Sequence, residues 1–525
     1  MLRKRSFHKR PAFPWHLGYI LTFATLCFVA YCFILPGTLF VNKRSPRGGL
    51  DQGSKGAFRL KSIYRHGVGA DHRLQQRLEV TPELVSEVGA LYQETTTQMQ
   101  DDEENHEALW TNNAKYATSN PFAFEFQLQK MPLTMKRMKQ RDPDFMEVYT
   151  SGEIYMSEED AHAMWINDDI FAPNVTDRDT VVGLALMSSN AYVRIPQTGD
   201  WRNVTEPWNE TEPDGFGWEG DGIRGHVFYN EVENIVVLSI KGTSAQGLPG
   251  SGEDETTGND KINDNLLFSC CCARVSYLWT TVCDCYVKSY TCDESCLEKE
   301  LRRKDRFYSA IIDIYKGVLK EYPDAAIWVT GHSLGGALAS LLGRTFGLPA
   351  VAFESPGELL ASKRLHLPFP PGLPSYMEGI WHFGHNADPI FMGTCNGASS
   401  SCSLVGYAME TACHTGRVCV YDVVNDKGWS VNMFNHRIHK VIDEVLLGYD
   451  QAAKCVEPEP CVDCYNWNFV PNRNWDSSSR LVTKTKNGPT PTRASRTTRT
   501  TAATTTSSST CIGRNWLGFC TKYGL

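Results

Sequence analysis

Apolar and polar positions divide the chain into segments of different character. From Leu17 to Leu35 every residue is apolar, small or uncharged, about the twenty residues a bilayer-crossing helix needs. Residues 48 to 110 are polar and charged, and read as a stalk or loosely packed approach segment. Helical spacing through Val182, Leu186 and Met187 predicts a helix over Asp179 to Tyr192. His226 to Tyr229, a turn, and the nearly continuous apolar run Ile235 to Ile240 predict a hairpin whose second strand lies inside a covered sheet. Tyr308, Ile311, Ile312, Tyr315, Val318, Leu319 and Tyr322 fall on one stripe, so Lys304 to Tyr322 is an amphipathic helix stopped by Pro323. Strand-like Ala326 to Thr330 and Ala350 to Phe353 follow, and the alternation predicts an α/β fold with a mostly parallel sheet and flanking helices.

Between those two strands the chain reads Gly331-His332-Ser333-Leu334-Gly335, then a small-residue helix. A Gly-x-Ser-x-Gly run between a strand and a helix is the setting in which a serine is held at the apex of a sharp turn, with glycines allowing close backbone approach. Ser333 is therefore the candidate nucleophile, beside the unpaired N–H groups of a helix N-terminus. The strand Ile235 to Ile240 ends at Lys241-Gly242-Thr243-Ser244. Thr243 is assigned to an oxyanion hole, with the N–H of Leu334 as second donor; an ordinary strand-ending turn is the alternative. A serine needs a histidine and an orienting acid. Asp388 follows strand-like Gly379 to Phe383 by a short loop, and His436 precedes a helix with Ile438, Val441, Ile442, Val445, Leu446 and Tyr449 on one face. His439 is the reserve base, and His414 is placed in a cross-linked hairpin between Cys413 and Cys419. His332 is read as packed or lining the pocket, and His382 and His385 as supports of the Asp388 loop. Metal sites and cofactors are not expected.

Charge and cysteine content sharpen the picture. The net charge of −8 argues against nucleic acid as partner. Arg3, Lys4, Arg5, Lys9 and Arg10 precede the apolar run, and Lys43, Arg44 and Arg47 follow it. That bias places the N-terminus in the cytosol and the bulk in a lumen; a cleaved signal peptide competes, but Pro36-Gly37-Thr38 is a poor cleavage site. Sixteen of the 18 cysteines lie beyond residue 269, and disulfides fit the Cys270-to-Cys296 cluster better than a zinc finger. Three sequons, at Asn174, Asn203 and Asn209, suggest a glycosylated face. The polar stretch 247–265 followed by Leu266-Leu267-Phe268 is where a lid is expected. Cys455, Cys461 and Cys464 read as a small local knot. Thr483 to Thr510, with 16 Ser or Thr among 28 residues, reads as a linker.

GHSLGG after an apolar strand, SIKGT upstream, HNADPI at His385 to Ile390 and NHRIHKVID at Asn435 to Asp443 resemble class 3 lipases. The whole arrangement is most similar to the fungal autophagy-related lipases of the vacuole. The resemblance implies an α/β-hydrolase fold, a Ser333–Asp388–His436 triad, and membrane glycerolipids as substrate. It also implies passage through endosomal multivesicular bodies to the vacuole and breakdown of autophagic bodies. On this reading 1–16 is a cytosolic terminus, 17–38 a signal anchor and 39–110 a luminal stalk. Residues 111–453 form the lipase domain with a Cys-rich insertion at 247–300; a Cys-rich extension (454–482), the linker (483–510) and a Cys-bracketed end (511–525) follow. An esterase for other substrates on the same scaffold, or a non-catalytic receptor, are the competing readings.

Overall fold

A computed structural model describes residues 56–68, 75–98, 110–152, 162–193, 201–203, 222–243, 257–274, 281–373, 377–471, 510–514 and 520–524. The expected anchor at 17–38, the linker at 483–509 and the sequon at Asn209 lie outside them. Among the described residues no helix is long and apolar enough to cross a membrane.

Ten strands form the central sheet, in the spatial order Cys455–Val456, Arg417–Tyr421, Ile380–His385, Ala350–Phe353, Ala326–His332, Ile235–Ile240, Gly222–Asn230, Arg59–Gly67, Gln75–Glu79 and Trp201–Asn203. The five from Ile235–Ile240 to Arg417–Tyr421 run parallel. Every other neighbouring pair is antiparallel. The sheet is thus mixed, not mostly parallel. Its parallel centre comes from strands separated by crossovers, whereas its antiparallel flanks combine two hairpins with pairings of strands distant in sequence.

The expected stalk is also corrected. Arg59–Gly67 is an inner strand, with Leu60, Ile63 and Tyr64 buried, and Pro82–Gln98 is a helix. Its polar look comes from charges that point outward to partners, Arg59 to Glu125 and Lys61 to Glu231, each at 2.6 Å.

Successive residues of a strand face opposite sides, and the two sides carry separate cores. Val236, Leu238 and Val329 face one core with the helices Phe307–Glu321 and Leu334–Phe346. Val237, Trp328 and Val351 face the other with the helix Arg178–Asn190 and the segment Val441–Leu446. Coverage on both faces explains why Ile235–Ile240 is apolar but for Ser239, whose hydroxyl donates to the Met187 carbonyl at 2.8 Å. Each fully buried large side chain here contributes about 1.5–3 kcal/mol.

Seven disulfides join described residues. Cys270–Cys464, Cys271–Cys292, Cys272–Cys283 and Cys285–Cys296 cross-link the Cys-rich segment; Cys395–Cys402, Cys413–Cys461 and Cys419–Cys455 brace the end of the sheet. The C-terminal cysteines therefore do not make a local knot, and Cys413 and Cys419 do not close a hairpin on each other. Leu266, Leu267 and Phe268 end the helix Thr257–Phe268 and lie in the core, so they are no lid motif.

Candidate active site

The strand Ala326–His332 delivers the chain to Ser333, whose φ of 58° and ψ of −131° put it in a conformation disfavoured for a residue with a side chain. Such a residue costs of order 1–3 kcal/mol and persists only where its surroundings enforce it. Two glycines do so here. A Cβ on Gly331 would stand 2.4 Å from the Gly335 carbonyl, and one on Gly335 would stand 2.2 Å from the Ile240 oxygen. The helix Leu334–Phe346 then starts directly beneath the serine.

Two loops from later strands converge on this turn. Asp388 lies just past Ile380–His385, fully buried, with its Oδ1 accepting the Ile390 N–H at 2.8 Å. His436 ends the short 3-10 turn Met433–His436. Its Nδ1 lies 2.7 Å from Asp388 Oδ2 and its Nε2 lies 2.7 Å from Ser333 Oγ. The Asp388 carboxylate can only accept, so Nδ1 carries a proton and Nε2 is free to accept from the hydroxyl. Burial alone would push Asp388 up, but the His436 ring, a hydrogen bond with Glu354 and the Ile390 N–H hold it below the usual carboxylate range. The arrangement can draw a proton from Ser333 onto an oriented imidazole.

Supporting contacts fix both loops. His385 Nε2 donates to the Asn435 carbonyl at 3.0 Å, and Asn435 Nδ2 donates to the Ser430 carbonyl at 2.9 Å. His332 Nε2 donates to the His436 carbonyl at 2.8 Å, while its Nδ1 meets the Tyr192 hydroxyl at 3.0 Å. Burial, then the His436 ring, pushes His332 down to about 3, so it stays neutral. His382 is hydrogen-bonded to Ser355 and His414 to the Phe391 carbonyl, so neither sits in the Ser333 chain. The link between Ser333 and Asp388 runs through His436, not the reserve His439.

Thr243 follows the strand next to the elbow. Gly242 is pressed against that elbow, since a Cβ there would meet the His332 carbonyl at 2.4 Å. The Thr243 hydroxyl is hydrogen-bonded to Asp264 Oδ2 at 2.7 Å. Asp264 is fully enclosed, and burial raises it well above the ordinary carboxylate range. Of the sequon asparagines, Asn174 is part-exposed at the end of Trp165–Pro173, with its Oδ1 accepting from Thr176; Asn203 ends the edge strand Trp201–Asn203.

Three contributors escaped sequence reasoning: Glu354, Tyr192 and Asp264. Glu354 is wholly buried at φ 45°, beside Asp388. Its place at the end of Ala350–Phe353 was a signal, but several carboxylates shared that stretch. A cleft of about 1200 Å³ lined by Arg137, Phe145, Tyr315, Ile327 and Trp328 has no triad residue in its wall. It borders the start of the strand Ala326–His332, at the opposite end from Ser333.

The family model for "Lipase (class 3)" matches residues 260–347. Over its full 525 residues the chain is 83% identical to the protein named "Putative lipase ATG15" of Saccharomyces cerevisiae strain YJM789, with 100% of both covered. The chain belongs to the ATG15 lipase family. The similarly named proteins of Vanderwaltozyma polyspora and Kluyveromyces lactis are 57% and 56% identical, each over 89% of this chain and over 88% and 89% of their own lengths. The Lip2 lipase of Yarrowia lipolytica, a solved structure, aligns over 38% of the chain and 61% of its own at 18% identity with a TM-score of 0.21, too slight a likeness to argue from. In this ATG15-family chain the class 3 match spans Asp264, Ser333 and Leu334 and ends before Asp388 and His436.

Proposed function

We propose that the protein is a membrane-anchored serine lipase and phospholipase that cleaves glycerolipid esters in an acidic lumen. The observation that carries the proposal is the Ser333–His436–Asp388 chain, with both links at 2.7 Å. His436 Nε2 takes the Ser333 proton as Oγ attacks the ester carbonyl carbon. The resulting oxyanion is held by the backbone N–H groups of Thr243 and Leu334 and by the Thr243 hydroxyl. In the resting site the Thr243 hydroxyl donates to Asp264 Oδ2 at 2.7 Å, and it turns from that carboxyl to reach the oxyanion. The tetrahedral adduct collapses, the ester C–O bond breaks, and the departing alcohol takes the proton from His436. Water then attacks the acyl-serine, gives a proton to His436, and releases a carboxylic acid with Ser333 regenerated.

A lipid substrate is supported by family membership and by the apolar surface beside the base, where Val431 and Phe434 are more than half exposed. Anchoring by residues 17–38 is supported by the flanking charges, and a luminal bulk by the disulfides and the sequons at Asn174, Asn203 and Asn209. The sequence resemblance is what supports delivery through multivesicular bodies to the vacuole and breakdown of autophagic bodies there, and the ATG15 name of the relatives supports an autophagy role. The test is lipid profiling of vesicles incubated with wild type and Ser333→Ala. Loss of glycerolipids with wild type alone supports the reading, and equal hydrolysis by both overturns it.

A further inference from the structure

The end of the sheet that carries Asp388 also holds a second cluster of chemically capable groups. Glu358 precedes the helix Leu359–Arg364, His382 lies within Ile380–His385, and His414 stands just before Arg417–Tyr421. The side chains of Glu358 and His382 are fully buried and that of His414 is 6% exposed. His382 Nε2 lies 3.2 Å from Glu358 Oε1, and His414 Nδ1 lies 3.5 Å from Glu358 Oε2. Glu358 Oε2, His382 Nε2 and His414 Nδ1 have no hydrogen-bond partner. Dry polar atoms left this way cost about 1–3 kcal/mol each unless something lies between them.

The outer contacts say what that something is. His414 Nε2 is 3.1 Å from the Phe391 carbonyl, which can only accept, so the ring proton sits there and Nδ1 turns a lone pair toward the carboxylate. His382 Nδ1 is 2.9 Å from the Ser355 hydroxyl and can donate to it, leaving a lone pair on Nε2. Glu358 Oε1 is fixed by the Thr415 N–H at 3.0 Å and the Thr415 hydroxyl at 2.5 Å. Imidazoles that donate outward from the far nitrogen and point lone pairs inward, beside a hydrogen-bonded carboxylate, have the outer support of metal ligands. A shared proton fits the 3.2 Å contact of His382 with Glu358 but not the His414 contact, because 3.5 Å is beyond a normal N–H···O hydrogen bond. Ligands about 2.1 Å from a tetrahedral ion lie about 3.4 Å apart, between the 3.2 Å and 3.5 Å that separate the two rings from the two Glu358 oxygens.

We propose that Glu358, His382 and His414 hold a structural zinc ion. Two imidazoles and one carboxylate suit zinc among the common divalent metals. The neighbouring Cys413 is tied to Cys461 and offers no thiolate. The ion would join the segment after Ala350–Phe353, the strand Ile380–His385 and the segment before Arg417–Tyr421, and stiffen the strand leading to Asp388. The proposal is independent of the esterase chemistry.

The test uses the full chain purified in detergent without a polyhistidine tag, equilibrated with zinc, dialysed and assayed for metal by mass spectrometry. About one zinc per chain is expected, at least about tenfold less in Glu358→Gln and His414→Gln, and no change in Ser333→Ala. X-ray absorption at the zinc edge of the wild type, which needs no variant to fold, should show two imidazoles among nitrogen and oxygen ligands without sulfur. Zinc below about 0.1 per chain in folded wild type, full zinc retained in both folded ligand variants, or sulfur in the ligand shell overturns the proposal.

Discussion

Replacing His332 by glutamine should flatten the loss of stability that acid imposes on this fold. The His332 ring is 5% exposed, donates from Nε2 to the His436 carbonyl and accepts at Nδ1 from Tyr192. Burial first, and the His436 ring second, lower it from 6.5 to about 3. The native value lies below the unfolded one, so the unfolded chain takes up the proton first. Stability from this residue is therefore complete above about pH 6.5 and is lost progressively as the pH falls toward about 3. Linkage over that window gives a loss of about 2 kcal/mol by about pH 5. Glutamine does not titrate, so the difference in unfolding free energy between about pH 7.5 and about pH 5 should shrink by about 2 kcal/mol in His332→Gln. The measurement is guanidinium unfolding with disulfides intact, followed by tryptophan fluorescence at both pH values. His226, which burial also lowers well below its ordinary value, contributes equally to both proteins and cancels. An unchanged pH difference in the variant would refute the buried neutral imidazole.

Asp388→Asn should leave the fold intact but cut kcat by about 10⁴, because the amide no longer holds His436 in the tautomer that accepts from Ser333; stopped-time ester assays beside circular dichroism check this. Burial first, then Asp388, push Glu354 well above the ordinary carboxylate range, which favours a protonated Glu354 that donates to Asp388. Glu354→Gln keeps a donor and should keep the acid limb of kcat/KM. Glu354→Ala frees Asp388 to take a proton sooner and should move that limb to higher pH; identical profiles for both would contradict the pairing. Cys419→Ala with Cys455→Ala opens a link of sequence separation 36 and should lower the unfolding free energy by up to about 4 kcal/mol, read from the guanidinium midpoint.

Local signals made the elbow legible: a five-residue apolar run, two glycines that no other residue can replace, and a small-residue helix. Asp388 and His436 could be named because chain order and loop position narrow the choice. What could not be read was set by distant partners. Arg59–Gly67 alternates too weakly to announce an inner strand, and its main partner is Gly222–Asn230, far along the chain. Cys270 pairs with Cys464 across a separation of 194, which no local spacing encodes. The lid expected at 247–268 does not hold for Leu266 to Phe268, whose burial against the sheet is a tertiary fact. The helix expected after His436 carries the right apolar stripe, yet Val441–Leu446 adopts the wider π register, which side-chain periodicity barely distinguishes from α. Glu354 is legible only once φ 45° and full burial put its carboxyl against Asp388.

The most direct measurement is mass-spectrometric mapping of a fluorophosphonate probe on the folded full chain. Phosphonylation at Ser333 in the wild type, abolished in Ser333→Ala and strongly slowed in folded His436→Ala, is the expected result. A folded wild type that takes up no label at Ser333, or that labels equally well without His436, would contradict an activated serine at this turn.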